Sequence, residues 1–186
     1  FITNYEFRKE KNLGVRTYLS YQDAPTDELE WQMQLGFEGQ RGWNRIDNYD
    51  NDRGTAAAPQ AMDDLNNTQS SFFYRAMTKV YRRWRIEASL GLNCAEIGYN
   101  RRYPETADPG GNISFGTIWM PRVAASYIVR EGLAVRGSVS KGYSPPALAE
   151  VRSSDNVINT DLEAETGLNY EAGMRWETPD RRFIAD

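Results

Sequence analysis

The chain has 186 residues, enough for one domain with a substantial core, and its mean hydropathy is −0.70 although 12% of its residues are aromatic. Disordered chains are polar but poor in aromatics, so eleven Tyr and five Trp in so polar a chain point to half-buried strands, each with one apolar and one polar face. A net charge of −4, a pI near 5.1 and no basic cluster beyond RRWR (Arg82 to Arg85) argue against a nucleic-acid partner.

No run of 18 apolar residues is present, so no transmembrane helix is expected, but alternating transmembrane strands would escape that test. Histidine is absent, which removes the commonest general base. The single cysteine, Cys94, reads as a small residue at a loop edge; nothing here calls for a metal, a cofactor or a nucleophile. The chain opens on Phe1 rather than Met and shows no signal peptide, so the expectation is a piece of a longer protein.

In chain order, period-2 alternation begins at Leu13 to Tyr21. It returns at Leu29, Trp31, Met33, Leu35, Phe37, against Glu30, Gln32, Gln34, Gly36, Glu38. Phe72 to Val80 follows the same pattern. Next come Trp84, Ile86, Ala88, Leu90, Leu92 against Arg85, Glu87, Ser89, Gly91, Asn93. Val123 to Val129, Leu133 to Val139 and Leu168 to Trp176 complete the series.

Parity tests the turns, because residues opposed across a hairpin share a face. With Val80 opposite Trp84, the turn is Tyr81-Arg82-Arg83 and the apolar faces coincide. With Val129 opposite Leu133, the turn is Arg130-Glu131-Gly132, and Gly132 suits a positive φ. Short connections are then Gln22 to Glu28, Tyr81 to Arg83, Arg130 to Gly132 and Thr178 to Arg181. They alternate with long ones at about Ile46 to Gln69, Cys94 to Ser114 and Ser144 to Thr166. Tight turns at one end and long loops at the other mark an up-and-down meander of a transmembrane β-barrel. A soluble β-sandwich binding module is the alternative, with the charged face turned to water. Three structureless loops of this length would be foreign to a compact soluble domain, and they decide for the barrel.

The apolar faces span about nine residues, the height of a tilted strand crossing hydrocarbon. Tyr21, Trp31, Trp84, Tyr127 and Trp176 gather toward the tight turns, as an interfacial aromatic girdle would. The opposite face carries Glu38, Arg75, Arg85, Glu87, Arg122, Arg136, Glu171 and Arg175, with Glu30 and Lys79 beside them. Mixed charges there fit a watery or plugged lumen, either as a solvated face or as plug contacts. In the long connections, Trp43, Arg45, Tyr49, Arg53, Tyr99, Arg101, Arg102 and Tyr103 are candidates for holding an anionic chelate or a sugar. DNYDNDRG (Asp47 to Gly54) lacks the spacing and distal Glu of a calcium loop and reads as a hydrated loop. No enzymatic motif is present.

WMPRVAASYIV, EGLAVRGSVSKGYSPPALAEVR and LEAETGLNYEAGMRW resemble consecutive barrel segments of TonB-dependent outer-membrane receptors. In that family a strand of the form SkGySPP leads to an acidic loop, and the next strand opens on L-x-x-E and N-Y-E-x-G. Here these are Ser140 to Glu150, Leu162, Glu165, Asn169, Tyr170, Glu171 and Gly173, with the likeness strongest over Phe115 to Trp176. The resemblance implies a 22-stranded barrel with a plug, importing iron chelates, corrinoids or glycans across a Gram-negative outer membrane with energy relayed by TonB. An iron chelate is the expected ligand, and a passive porin-like channel is the alternative within membranes. Residues 1–186 are expected to supply seven or eight of those strands, without the plug or the TonB-contact segment. Such a piece would expose unpaired edges and aggregate in water. Pro145 and Pro146, which lack amide donors, are expected to end a strand at the rim and send the chain outward.

Overall fold

The computed structural model describes residues 4–107, 109–180 and 182–186. Among them one antiparallel sheet holds eight strands in chain order. These are β1 (Asn4–Thr26), β2 (Leu29–Asp52), β3 (Thr55–Val80), β4 (Trp84–Tyr103), β5 (Gly110–Arg130), β6 (Leu133–Ser144), β7 (Glu165–Glu177) and β8 (Ile184–Ala185). One short helix, α1 (Leu148–Val151), lies between β6 and β7. The single sheet removes the β-sandwich alternative, since a sandwich needs a second sheet against the first.

The first of the lower turns falls where the matched apolar faces place it. Val80 pairs with Trp84 across Tyr81-Arg82-Arg83, as the matched apolar faces require. Val123↔Val139 and Tyr127↔Val135 put β5 and β6 in the expected register. At that tip, however, the ladder shifts between Ile128 and Arg130, and Arg130 pairs Leu133 across a two-residue Glu131-Gly132 turn. Gly132 takes φ 73°, which glycine adopts at least cost. After β7 the chain turns through 178–183 into β8, with the Thr178 amide donating to the Phe183 carbonyl at 3.1 Å. Arg181, expected in that turn, lies outside the described residues.

Alternation sorts the residues onto two faces. The outer face carries Leu13, Leu19, Leu35, Phe72, Ile86, Val123, Val139 and Met174, all exposed, with Leu19 at 77%. An apolar band this bare needs a nonaqueous neighbour.

The aromatic residues on this face also report strand tilt. The ladder links Tyr21, Met33, Ala76, Ala88, Val123, Val139 and Tyr170 in one row. Trp31, Trp84, Tyr127 and Trp176 step progressively below it, until Trp176 sits six residues past Tyr170 on β7. The line of aromatics therefore slips about one residue, or ~3.4 Å, for each ~4.8 Å between strands, a tilt of roughly 35°. That value falls within the range of transmembrane barrel strands. Along the line, Tyr21 meets Trp31 edge-on at 5.9 Å and Trp84 meets Tyr127 at 4.5 Å.

Above the apolar band the structure corrects the expected loops. Ile46 to Gln69 and most of Cys94 to Ser114 are not loops but continuations of β2, β3, β4 and β5. β2 turns into β3 at Arg53-Gly54, so DNYDNDRG is the tip of a hairpin. Cys94 is likewise not at a loop edge; it lies within β4, exposed, with Sγ 3.2 Å from Thr117 Oγ1. Strand pairing satisfies the backbone without help from side-chain hydrophobicity, so the ladder outruns the apolar pattern. One irregularity redirects side chains: Cys94 pairs Thr117 but Glu96 pairs Ser114, and Gly116 at φ 69° absorbs the extra residue. Below Gly116, Met120 and Arg122 face inward; above it, Ile113 and Phe115 do.

The third long connection is a genuine loop, but it does not run outward. Residues 145–164 fold back over the inner face of the upper sheet. There Val151 packs with Ile46, Leu65, Ala95, Ile97, Ile113 and Phe115, and Leu148, Ile158 and Leu162 close over the same cluster. Thus the main core lies above the membrane band, between wall and loop.

Candidate functional site

The inner face divides into two zones. In the lower one, Arg85, Glu87, Arg122, Arg136 and Glu171 line a single trough of about 680 Å³ between β4 and β7. Glu87 accepts from Arg75 on the adjacent strand at 2.6 Å, rather than from Arg85 on its own. Arg85 Nε instead points at the Met77 sulfur, 3.0 Å away. Glu38 lies 3.6 Å from Arg16, Glu30 2.9 Å from Lys79, and Arg175 3.7 Å from Glu177. Arg136 reaches Asp186 at 2.6 Å, and Glu171 accepts from Ser138 at 3.1 Å. All eight sequence-predicted inner residues therefore share one face, most of them in cross-strand pairs.

The upper zone holds the loop, and its anchor is electrostatic. Arg152 is 5% exposed and Asp63 fully buried, with Nε to Oδ2 at 2.9 Å. Arg101 donates to the other oxygen of Asp63 at 2.8 Å and to the Asn156 carbonyl at 2.5 Å. Asn156 accepts from Arg152 at 2.9 Å and from Asn48 at 2.8 Å. A carboxylate stripped of water is costly, but here two guanidinium groups replace its hydration. The loop's entry is fixed by Glu150, whose carboxylate accepts the Ala147 amide at 2.6 Å immediately after the Pro145-Pro146 pair. Its far turn is held by Asp155, which accepts from the Ser153 hydroxyl and the Val157 amide; those bonds lower its pKa below the usual carboxylate value.

The eight predicted ligand residues do not form one surface. Tyr99 and Arg101 face inward, Tyr99 against the apolar cluster and Arg101 on Asp63, both beneath the loop. Trp43, Arg45, Tyr49, Arg102 and Tyr103 fall on the outer face, and Arg53 is at the hairpin tip with φ 52°. On that outer face Arg102 holds Asp47 and, at 2.9 Å, Asp64, while Arg45 holds Asp47 at 2.9 Å. Burial opposes the Arg102 charge, but the hydrogen bond to Asp47 and the charges of Asp64 and Asp47 outweigh it and raise its pKa. Sequence reasoning missed Asp63, Val151, Arg152 and Asn156. The available signal was Leu148, Val151, Ile158 and Leu162, apolar residues out of place in a solvated acidic loop. Among the described residues no group of three or more Cys, Asp or Glu stands close enough to hold a metal.

An antiparallel meander tilted near 35°, apolar outside and charged inside, is a segment of transmembrane barrel wall. The TonB dependent receptor-like, beta-barrel family matches residues 2–185, and the chain belongs to it. Solved structures share its fold. The ferric citrate transporter FecA, in unliganded form, superposes with a TM-score of 0.73 at 11% identity, over 93% of this chain and 26% of that one. The siderophore receptor PiuA from Acinetobacter baumannii gives 0.72 at 11%, over 95% and 30%. FpvA of P. aeruginosa, bound to heterologous pyoverdines, gives 0.69 at 19%, over 97% and 24%. The chain thus spans less than a third of each. No curated protein sequence matches it.

Proposed function

We propose that this wall segment serves a receptor of the Gram-negative outer membrane that binds an iron chelate and imports it with energy relayed by TonB. The observation that carries this reading is the loop of residues 145–164, folded inward over the apolar cluster of the upper inner face and anchored by Arg152 and Asp63. A passive pore works with an open mouth. A wall that spends a twenty-residue connection on narrowing its own mouth suits capture and controlled release. The names of the solved structures, a ferric citrate transporter and siderophore receptors among them, support an iron chelate as cargo.

In this reading the plug of the complete receptor lies against the trough of Arg85, Glu87, Arg122, Arg136 and Glu171, and Glu38, Arg75 and Arg175 extend that contact. Tyr21, Trp31, Trp84, Tyr127 and Trp176 sit at the inner-leaflet interface. Arg53 at the tip and Tyr99 and Arg101 beneath the loop remain the ligand candidates on the mouth side. The other five, Trp43, Arg45, Tyr49, Arg102 and Tyr103, would contact a ligand only outside the wall. The test is uptake of radiolabelled ferric chelates by iron-starved cells with and without the receptor. Uptake should vanish without the receptor and equally without TonB. Uptake that persists without TonB would establish the passive channel instead.

A further inference from the structure

Between the charged trough and the folded loop the inner face changes character, and its side chains become amides. The ladder sets Glu38 beside Ser71 and Ser71 beside Asn93, with Gln40 beside Gln69 one pleat higher. These five residues line a small polar cavity of about 180 Å³. Next above, the Asn12 and Asn67 carboxamide oxygens converge over Gly42, where a Cβ would displace both. Asn93 is 6% exposed, and its Nδ2 is buried without a hydrogen-bond partner. A dry, unpaired donor is costly, and a ligand's acceptor would relieve that cost. Gln69 also lines a second cavity, of about 340 Å³, which runs under Pro145, Pro146 and Leu148 at the entry of the loop. The shelf of amides therefore borders the space that a cargo would cross beneath that loop.

We propose that this shelf selects an uncharged ferric chelate, one whose three hydroxamate groups each bring a single negative charge to Fe³⁺. The proposal rests on the reading of this chain as part of an iron-chelate receptor, and it names the class of chelate. The wall above the trough offers an anion no spare cation. Arg8 pairs with Glu6 at 3.1 Å and lies 3.7 Å from Glu10, while Arg16 lies 3.6 Å from Glu38. Arg101 and Arg152 share Asp63, at 2.8 and 2.9 Å. Among the described residues of this zone, the inward cations Arg8, Arg16, Arg101 and Arg152 are thus matched by Glu6, Glu10, Glu38 and Asp63. The loop adds Glu150, Asp155, Asp161 and Glu163, with Arg152 as its one cation. A carboxylate or catecholate chelate of net negative charge is repelled by such a mouth, and a neutral one is not. Carboxamides supply the matching chemistry. Their N–H groups donate to hydroxamate oxygens, and their carbonyls accept from the amide N–H and hydroxyl groups of the chelate's arms. Asn93 Nδ2 is the donor with most to gain, since a chelate oxygen would give it the partner it lacks.

One binding experiment separates this selectivity from the receptor reading beneath it. The full receptor, purified from membranes in detergent, is titrated with a neutral ferric trihydroxamate, with ferric citrate and with an anionic ferric tricatecholate. Each chelate carries radioactive iron, and the iron retained on the receptor is counted. At low salt the neutral chelate should bind at least about tenfold more tightly than either anion. Raising the salt from about 0.05 to 0.5 M should leave its affinity flat and strengthen binding of the anions, because screening weakens their repulsion. Q40L/N93L should bind the neutral chelate about tenfold more weakly. D161N/E163Q should narrow the gap between neutral and anionic chelates about threefold. Should Q40L/N93L not assemble, the loop variant and the salt series decide the matter. Anions bound as tightly as the neutral chelate, an unchanged neutral affinity in Q40L/N93L, or an unchanged gap in D161N/E163Q overturns the proposal and leaves the receptor reading standing. Binding of no ferric chelate of any class overturns the receptor reading, and this proposal with it.

Discussion

On β2 the outer face reads Leu29, Trp31, Met33, Leu35 and Phe37 near the tight turns, then Arg41, Trp43, Arg45 and Asp47 beyond them. The inner face of the same strand runs the other way, from Glu30 and Glu38 to the buried Ile46. The backbone geometry does not change between these halves; the neighbours do. Below, a transmembrane barrel wall meets lipid outside and its lumen inside. Above, water lies outside and the 145–164 loop inside. Each half follows the ordinary rule that apolar surface meets apolar surface, and the polarity of the sheet inverts because its surroundings invert.

The sharpest way to break the upper half is to remove one partner of its buried ion pair. Asp63→Ala leaves Arg152 and Arg101 without their shared carboxylate, a loss of about 3–5 kcal/mol in the docking of the loop. Hydrogen exchange should then show amides 148–158 opening, beginning with the Arg152 amide bonded to the Leu148 carbonyl at 2.9 Å. The double change D63L/R152L should restore much of the protection, because the Val151 cluster remains. Unchanged exchange in Asp63→Ala would mean that packing alone holds the loop.

The lower half is tested by placing one charge on each face. Leu35→Arg faces lipid near mid-band and should destabilise the barrel by about 2–4 kcal/mol. Gln34→Glu, one residue away, facing inward and directly opposite Arg75, should be nearly neutral. Urea titration in lipid vesicles reads the difference, and equal losses would contradict the face assignment.

The smallest effect concerns pH at the loop's far turn. Asp155 is exposed, and its pKa is lowered by the bonds from Ser153 and Val157. Its contribution is therefore complete above the unfolded carboxylate value and is lost as pH falls through the lower, folded one. Proteolysis of the loop should be flat at neutral pH and rise only in that acid window, and Asp155→Asn should remove this increment. A rise already present near neutrality would point to another group.

What could be read from the sequence follows the same division. In the membrane zone lipid imposes strict alternation, so Leu29 to Phe37, Trp84 to Leu92 and the Val80–Trp84 register were legible residue by residue. Above it, water tolerates Asn, Asp and Gly on the outer face, and the pattern that announces a strand fades although the ladder continues. The shift at Gly116 further scrambles parity on β5. The buried anchor left no local trace, because Asp63 and Arg152 are 89 residues apart in the chain. The charged trough was visible as a set of inward residues; the split of the eight ligand candidates between two faces was not, since it depends on strands extending where loops were expected.

The extension of β2 and β3 has a practical side. From Phe72 to Thr55 the hairpin climbs some 17 residues, roughly 50 Å beyond the hydrocarbon edge at the tilt set by the aromatic line. Its tip, Arg53-Gly54, is exposed, and a Cβ at Gly54 would meet nothing within 4 Å. A peptide grafted there would be carried clear of the lipid at the crest of the sheet, where β1 follows β2 as far as Asp50 and β4 follows β3 as far as Met62, making this turn a natural display point for an epitope or label.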